Sequence, residues 1–321
     1  MRHFCTYFDH NYLPRALALY DSLRQQDGEF RLWVLCLTPE CEAELRQLSL
    51  PELELIPLAK LEATDAALLE TKAKRSRIEY FFTCSPSLPR FILETNPAIE
   101  LLTYLDADLY FFASPELVFY EMKDNSIAIT PHRFPVALRD RERYGIFNVG
   151  WVSWRRDANG LACLNWWRER CLEWCFDREE PGRFADQKYL DQWPGLFPKV
   201  AILDHPGVNL APWNLAGHTL SQDGQKLQVD GRPVIFYHFH GLKQLAENIY
   251  DPQWSVYKIE PDKVIRQNLY RPYLANLRRR QRGVLRSIRG VEDRNENRPA
   301  LAQRLARWRR VLKGKYLVAP K

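Results

Sequence analysis

Two acids and two histidines lie where apolar runs of the sequence end, and these residue types can bind a metal ion. Asp106 and Asp108 follow an apolar run that begins at Leu101, while His238 and His240 close a second apolar run. Two carboxylates this close repel each other unless a cation neutralises them, and Mg²⁺ and Mn²⁺ prefer carboxylate oxygens. Imidazole is another common ligand, and residues i and i+2 of an extended strand share one face. The two pairs together predict a divalent-metal site.

Each pair taken alone has an ordinary explanation. Acids one residue apart are common in loops, where they are solvated or cap a helix, and histidines in apolar strands often have their hydrogen bonds satisfied. The metal site is favoured because both pairs occur in one chain. It is also favoured because open α/β sheets bind ligands beyond the carboxyl ends of their strands, where Asp106 and Asp108 are expected.

The segments that would position these residues alternate β-rich runs with amphipathic stretches, which is the pattern of a parallel sheet covered by helices. We therefore predict an α/β fold. The predicted strands span residues 3–8, 30–37, 53–56, 101–105 and 234–241. The predicted helices begin at Leu13 and Pro39, extend over 66–93 with breaks near Pro86 and Pro89, and extend over the Trp-rich segment 161–176.

The composition is that of a soluble globular protein with a full core, since 46% of the 321 residues are apolar and 27% are charged. The seven cysteines are odd in number, lack C-x-x-C spacing and lie mostly in apolar runs. This usage predicts reduced core thiols in a cytosolic protein. No run of about 18 apolar residues occurs, so neither a signal peptide nor a membrane span is expected.

Charge is distributed unevenly along the chain. Sixteen basic and three acidic residues lie between Arg271 and Lys321, a net charge of +13, so the remainder carries −7 of the total of +6. The composition turns to Arg, Leu and aromatic residues from Asp262 onwards. We therefore predict a main domain over 1–261 and a basic amphipathic helical extension over 262–321.

The extension contains an amphipathic pattern that suits an anionic membrane surface. The apolar positions are Leu301, Leu305, Trp308 and Leu312, the arginines between them are Arg304, Arg307, Arg309 and Arg310, and a weaker copy has Leu277, Leu285 and Ile288. Our hypothesis is peripheral attachment at the inner face of the membrane. Nucleic-acid binding is the rival, but no RNA-reading motif occurs and the body is acidic. A helical pair packed on the main domain is the plainest alternative.

Five short motifs occur along the chain in a fixed order. They are Asp9-His10-Asn11-Tyr12, Tyr104-Leu105-Asp106-Ala107-Asp108, Phe147-Asn148-Val149-Gly150, Asp186-Gln187 and His238-Phe239-His240-Gly241. In this set and order the chain resembles glycosyltransferase family 8 and related GT-A enzymes, over roughly residues 1–244. The Asp-x-Asp motif is shared by many GT-A families, whereas the ordered set of five is far more specific.

The resemblance implies a GT-A catalytic domain over 1–261 that binds a divalent metal. Asp106, Asp108 and His238 would bind Mn²⁺ or Mg²⁺, and the role of His240 stays open. The metal would bridge the two phosphates of a nucleotide-sugar donor and stabilise the charge on the departing nucleoside diphosphate.

The first motif would bind the nucleotide of the donor. By the resemblance, Asp9, Asn11 and Tyr12 would contact its base and ribose. The alternative is structural, with Asp9 or Asn11 capping a helix and Tyr12 packed as a hydrophobic staple.

The third and fourth motifs would surround the reacting sugar. Asn148 would line the donor sugar and the acceptor, and Asp186 and Gln187 would lie beside the anomeric carbon. The competing explanation for Asp186 is a helix N-cap. The resemblance also implies retention of anomeric configuration. Most tryptophans are expected in the core, and Trp213 is the candidate for stacking on the acceptor.

Basic residues would contact the donor phosphates. Arg75 and Arg77 belong to a basic run ahead of the Asp-x-Asp motif, although such runs are usually solvated helix faces. Gly241 and Lys243 are assigned to the donor as well. The family more usually has Lys-Pro-Trp slightly later, and this chain has Leu242-Lys243-Gln244-Leu245 instead.

The predicted function is therefore metal-dependent transfer of a sugar, from a UDP-sugar by resemblance, to a glycan or lipid-linked glycan. A sugar nucleotidyltransferase is one alternative, but it needs a Gly-rich loop near the N-terminus, and residues 9–14 contain no glycine. A non-catalytic binding protein on the same scaffold is another. The intact set of Asp106, Asp108 and His238 argues against it. No nucleic-acid partner is expected.

Overall fold

Strands and helices alternate through the first third of the chain, and shorter strands and loops follow. The computed structural model describes residues 1–288, 307 and 309–320. Its strands are β1 (Arg2–Phe8), β2 (Phe30–Cys36), β3 (Leu53–Pro57), β4 (Leu101–Leu105), β5 (Leu109–Phe111), β6 (Ile127–Pro131), β7 (Phe147–Arg155), β8 (Val200–Ile202), β9 (Leu220–Asp223), β10 (Lys226–Val229), β11 (Arg232–Pro233), β12 (Phe236–His238), β13 (Lys243–Ala246), β14 (Ile249–Asp251) and β15 (Leu317–Val318). Its α-helices are α1 (Leu13–Gln26), α2 (Pro39–Leu48), α3 (Leu58–Thr64), α4 (Ala66–Lys72), α5 (Arg77–Thr95), α6 (Glu116–Met122), α7 (Ala158–Glu173), α8 (Trp193–Leu196) and α9 (Arg271–Ile288).

The main sheet has seven strands in the order β3-β2-β1-β4-β7-β6-β8. Strand β1 is parallel to both β2 and β4, with Cys5 opposite Tyr104, whereas β7 is antiparallel to β4. The carboxyl ends of β1 and β4 therefore lie at the same edge as the amino end of β7. The loops that follow Phe8 and Leu105 meet at this edge. The predicted α/β class is confirmed.

A short antiparallel pair brings a distant part of the chain to the same edge. Strand β12 pairs with β5, and His238 lies opposite Leu109. The amide of Phe239 donates to the carbonyl of Asp108 at 3.0 Å. The strand predicted over 234–241 is shorter in the structure, and Gly241 has left-handed backbone with φ of 69°. The pairing places an imidazole from late in the sequence beside the acids that follow β4.

Helix α5 differs from its prediction. The predicted breaks near Pro86 and Pro89 are wrong, because α5 continues through both prolines. The chain breaks between α4 and α5 instead, where Ser76 and Glu79 form a capping box that starts α5. A proline inside a helix costs about 3 kcal/mol, but each large apolar side chain that is buried stabilises by about 1.5–3 kcal/mol. The helix buries Leu88, Phe91, Ile92 and Leu93, among others, in the core.

The start of the C-terminal segment packs on the body of the protein. Tyr273, Leu274 and Leu277 of α9 are buried, and the Tyr273 ring stacks on Phe239 with 3.7 Å between centroids. Strand β15 pairs with β14. Both therefore contribute to the core that contains Phe239. Outside the described residues lie Leu301, Arg304, Leu305 and Trp308, together with the side chains of Leu285 and Ile288.

Cysteines and tryptophans lie mainly in the core. All seven cysteines are free thiols and buried, as predicted from their apolar surroundings. Trp151, Trp154, Trp167 and Trp193 are fully buried. In the described part of the chain, no helix combines the length and the apolar character that crossing a membrane requires.

Candidate active site

Asp106, Asp108 and His238 converge in the structure, as the sequence predicts. Nε2 of His238 lies 3.0 Å from Oδ1 of Asp108 and 3.6 Å from Oδ2 of Asp106. One potential ligand atom from each of the three residues lies within 4.8 Å of the others. The name metal cluster is used for these three residues, Asp106, Asp108 and His238. Two carboxylates and one imidazole on fixed elements form a donor set that could hold a divalent cation.

The charged groups of this cluster shift one another's pKa values. Burial opposes ionisation of Asp108, but the neighbouring His238 lowers its pKa to about 2. Burial alone would lower the pKa of His238, but the charges of Asp108 and Asp106 outweigh it and raise the pKa. Burial raises the pKa of Asp106 despite the nearby imidazole, and the Tyr104 hydroxyl donates to its Oδ1 at 2.9 Å. The two carboxylates therefore favour a positive charge at the position of the imidazole, as they would favour a bound cation.

Gly150 lies against two side chains of the site. Its amide donates to Oδ1 of Asn148 at 2.9 Å, and its carbonyl accepts the amide of Asp106 at 3.1 Å. A Cβ at this position would lie 2.5 Å from Oδ1 of Asn148 and 2.8 Å from Nδ1 of His238. Glycine is therefore required by close packing around its Cα.

Asn148, at the start of β7, is linked to the Asp186-Gln187 motif. Nδ2 of Asn148 donates to Oε1 of Gln187 at 3.0 Å. Nε2 of Gln187 donates in turn to the carbonyl of Tyr144 at 3.2 Å. These two bonds fix the orientation of the Gln187 amide at the edge of the sheet.

Asp186 is a buried acid close to the metal cluster. Burial raises its pKa to about 7, and the negative charge of Asp106 adds to the shift although a hydrogen bond with Ser85 opposes it. The carbonyl of Asp186 accepts the indole N–H of Trp167 at 2.8 Å. The short helix that follows has no side-chain cap. The structure therefore gives Asp186 no N-cap role.

The loop after β1 lies beside the metal cluster at the sheet edge. Oδ1 of Asp9 accepts the amides of Asn11 at 2.9 Å and of Tyr12 at 3.3 Å, and Nη2 of Arg77 lies 2.8 Å from Oδ2 of Asp9. Tyr12 is 41% exposed, and the Arg15 guanidinium lies over its ring at 4.6 Å. Tyr12 is therefore not packed as a staple. Asp9 stabilises the loop rather than capping α1, which has no side-chain cap.

A cavity of about 570 Å³ opens at this edge, a size typical of small-molecule sites. The predicted site residues that line it are Asp9, Tyr12, Asp106, Asp108, Asn148, Asp186, Gln187 and His238, and Trp213 and His240 line it as well. The predicted residues outside this lining are Asn11, Arg75, Arg77, Gly241 and Lys243.

Arg75 makes contacts within the protein. Its guanidinium donates to the carbonyl of Leu172 at 2.8 Å and to the hydroxyl of Thr83, and it lies 5.4 Å from the centroid of the Phe176 ring. Lys243 is exposed on β13. The assignment of Asn11, Arg75, Arg77, Gly241 and Lys243 to the donor stays a prediction.

Trp213 packs beside the metal cluster. It is 3% exposed, and its ring contacts those of His238 and His240 at centroid distances of 5.0 and 5.3 Å. Burial lowers the pKa of His240 to about 4, so this imidazole is neutral near pH 7. Trp213 thus helps to fix both imidazoles, and it still presents a surface to the cavity.

Sequence reasoning does not find several other residues that line the cavity. Arg141 lies in the 3-10 helix Val136–Tyr144, whose dense charges are typical of a solvated surface. His132 and Tyr257 lie in loops without a recognisable motif. Tyr7 precedes Asp9 by two residues at the end of β1. Because residues i and i+2 of a strand share one face, this spacing could have placed Tyr7 on the same side as Asp9.

Comparison with known proteins finds sequence relatives in Bacillus subtilis. No family model matches the chain. The chain is 36% identical over 253 residues to the uncharacterized protein YfnF of Bacillus subtilis (strain 168), which covers 76% of this chain and 83% of YfnF. It is 29% identical over 280 residues to the uncharacterized protein YfnD of the same organism, covering 86% of this chain and 89% of YfnD.

A solved structure with a similar fold is that of the galactosyltransferase LgtC in complex with donor and acceptor sugar analogues. The match has a TM-score of 0.50 and 16% sequence identity, and it covers 74% of this chain and 87% of LgtC. At this identity the likeness concerns the fold alone. The predicted GT-A fold is confirmed.

Proposed function

Because this chain belongs to the same protein family as Bacillus subtilis YfnF and has a GT-A fold, we propose that it is a metal-dependent glycosyltransferase. The observation that carries the proposal is the convergence of Asp106, Asp108 and His238 in the wall of the cavity. The enzyme transfers a sugar from a nucleotide-diphosphate sugar, a UDP-sugar by resemblance, to a hydroxyl group of an acceptor. LgtC, which was solved with donor and acceptor sugar analogues, supports this class of reaction.

The donor nucleotide binds between the β1 loop and the metal cluster. Asp106, Asp108 and His238 hold Mn²⁺ or Mg²⁺, which stabilises negative charge on the diphosphate leaving group when bound. The Tyr104 hydroxyl orients the carboxylate of Asp106 for this role. The exposed ring of Tyr12 offers a face to the base.

The donor sugar lies against Asn148, Asp186 and Gln187. The amide of Gln187 is held by Asn148 and the Tyr144 carbonyl, and its remaining hydrogen and lone pair can bond sugar hydroxyls. Asp186 can donate a proton to a hydrogen bond because its pKa is raised to about 7. Retention of anomeric configuration is part of the proposal and rests on the resemblance of Asp186-Gln187 to the family pair. The anomer released on transfer, followed by NMR, tests it, and an inverted product contradicts it.

A donor-hydrolysis screen across nucleotide sugars, with Mn²⁺ present, tests the activity. We expect the chain to hydrolyse a UDP-sugar slowly in the absence of acceptor. Asp108→Asn removes a metal ligand and should lower this rate by at least about tenfold. Asp140→Asn, at an exposed acid on the 3-10 helix, is the matched control and should leave the rate unchanged.

Calorimetry with UDP tests the metal. UDP should bind more tightly with Mn²⁺ than without it, and Asp108→Asn should remove the difference. Equal affinity for UDP with and without Mn²⁺ would contradict a metal-bridged donor. A screen with no hydrolysed nucleotide sugar, together with that result, would end the enzyme assignment.

We also propose that the enzyme is cytoplasmic and acts on a glycan or lipid-linked glycan, attached peripherally to anionic membrane through its basic C-terminal residues. The free thiols and the charge of +13 after Tyr270 support this. Truncation after Tyr270 would remove the buried Tyr273, so substitution is the sharper test. Arg304→Gln with Arg309→Gln should weaken sedimentation with anionic vesicles. Unchanged sedimentation would contradict membrane attachment.

A further inference from the structure

The cavity has two sides, separated by the metal cluster. In the sheet order β1-β4-β7-β6, Asp9 follows β1, Asp106 follows β4 and His132 follows β6. The proposed nucleotide loop is therefore on one side of the cluster. The 3-10 helix Val136–Tyr144, which connects β6 to β7, is on the other.

Arg141 is the one Lys or Arg among the described residues that line the cavity. The carboxylates in the same lining belong to Asp9, Asp106, Asp108, Asp177 and Asp186. In the described part of the chain no ion pair joins Arg141 to a carboxylate, whereas Arg77 is paired with Asp9 and Arg143 with Glu179. The Arg141 charge is thus free to pair with a ligand.

The helix that carries Arg141 is held in place from both ends. Leu138 is 4% exposed and packs in the core. Nζ of Lys258 donates to the carbonyl of Ala137 at 3.1 Å, and Nζ of Lys188 donates to the carbonyl of Glu142 at 2.9 Å. An arginine on so constrained a backbone loses less entropy when it binds a ligand.

Aromatic residues line the cavity together with Arg141. The guanidinium lies over the Tyr257 ring at 5.0 Å, and the rings of Tyr144 and Phe184 contact each other at 4.8 Å. Phe134 and Trp213 also line the cavity, and both contact the ring of His132, which follows β6. Flat aromatic faces suit the apolar faces of sugar rings, and a guanidinium suits carboxylate or phosphate oxygens.

We propose that Arg141 binds an anionic group, a carboxylate or a phosphate, carried by the acceptor sugar. The inference rests on the proposed function and names the class of acceptor. An acidic glycan places its charge on Arg141 and its ring against the aromatic residues. Its hydroxyl group then points towards the donor beside Asn148 and Gln187.

Matched acceptor analogues test this assignment on the full chain saturated with UDP and Mn²⁺. The probes are phenyl β-D-glucoside, phenyl β-D-glucuronide and phenyl β-D-glucoside 6-phosphate, which differ at C6 alone. Wild type should bind an anionic probe about tenfold more tightly than the neutral one, as expected for one charge-assisted contact. Arg141→Met should remove this preference, and Arg141→Lys should keep part of it. If only one anionic probe loses affinity in Arg141→Met, its charged group, carboxylate or phosphate, is the one that Arg141 binds.

Arg139→Met is the matched control. It removes one positive charge from the same helix, and Arg139 is exposed and lies outside the cavity lining. It should leave the preference and the affinity for UDP unchanged. The proposal is overturned if wild type binds all three probes with equal affinity, or binds none of them detectably. A parallel loss of UDP affinity in Arg141→Met also overturns it, because Arg141 would then contact the donor diphosphate. Failure of the proposed function can be distinguished from failure of this inference, because the proposed function fails if UDP binding does not depend on Mn²⁺.

Discussion

Gly150 has no side chain, and the space that one would need is occupied by Asn148 and His238. A Cβ would lie 2.5 and 2.8 Å from their polar atoms, while the backbone of Gly150 does not have positive φ. Gly150→Ala should therefore fold but displace both side chains. We expect the Mn²⁺-dependent affinity for UDP to fall by about tenfold or more, as for loss of support to a metal ligand. Calorimetry with UDP and Mn²⁺ measures this.

The control for this prediction is Gly195→Ala, where an added Cβ would meet no atom within 4 Å. Its UDP affinity should equal that of wild type. If Gly150→Ala also binds UDP normally with Mn²⁺, His238 is not held as described or is not a ligand.

Residue types and spacing predicted the metal cluster but not the residues that support it. Asp106 and Asp108 could be found because two carboxylates at a strand end are costly without a cation, whereas the choice of His238 rather than His240 came from the family resemblance. The need for glycine at position 150 depends on atoms from Asn148 and His238, which no local pattern reveals. Arg75 could not be assigned because the sequence does not show which way a turn between two helices presents its side chains.

At the scale of elements, the start of α5 controls one wall of the cavity. Ser76 and Glu79 cap the helix, and Oε1 of Glu79 also accepts the amide of Asp177, which lines the cavity. Ser76→Ala should lower the free energy of unfolding by about 1 kcal/mol. Glu79→Ala should cost more, because the Asp177 amide also loses its acceptor. Urea denaturation of both variants measures the difference.

Glu70→Ala, at an exposed position of α4, provides the control and should be close to neutral. Equal costs for Ser76→Ala and Glu79→Ala would show that the contact with Asp177 contributes nothing to stability.

Hydrophobic patterns predicted the first four strands of the main sheet and helices α1, α2 and α7, but not strands β6, β7 and β8. Helix α5 contains two prolines, so local rules predict a break that burial of its apolar face overrides. The pairing of β5 with β12 joins two very short strands far apart in sequence. The strand around His238 was predicted, but the three residues of β5 carry too little pattern to predict that it pairs with β12.

At the scale of the whole molecule, α9 packs on Phe239, the residue that follows His238 of the metal cluster. The Tyr273 ring stacks on Phe239, whose amide donates to the Asp108 carbonyl. Tyr273→Ala should lower the free energy of unfolding by about 3–5 kcal/mol, as for loss of other buried aromatic rings. It should also weaken Mn²⁺-dependent UDP binding. Urea denaturation and calorimetry measure the two effects.

Tyr273→Phe keeps the ring and is the control. Among the described residues, the Tyr273 hydroxyl is buried and has no hydrogen-bond partner. Its removal should therefore leave stability equal to that of wild type or slightly higher. A large loss of stability in Tyr273→Phe would mean that the hydroxyl makes a stabilising hydrogen bond.

Composition alone could not reveal this support. Arginines dominate the counts after Asp262, and a charge count cannot separate exposed positions from buried ones. Tyr273, Leu274 and Leu277 lie at the spacing of one helix face, but too few apolar residues surround them to predict which surface they cover.

Because the β5–β12 pair supplies His238, the set of three candidate ligands is complete only after residue 238 has been synthesised. The imidazole of the cluster lies 130 positions after Asp108, so a ribosome has made both acids long before the third ligand emerges. An unfinished or proteolysed chain that ends before residue 236 cannot complete the coordination shell. The ion would then bind the finished native chain in preference to nascent or unfolded forms, and its binding would stabilise the native chain.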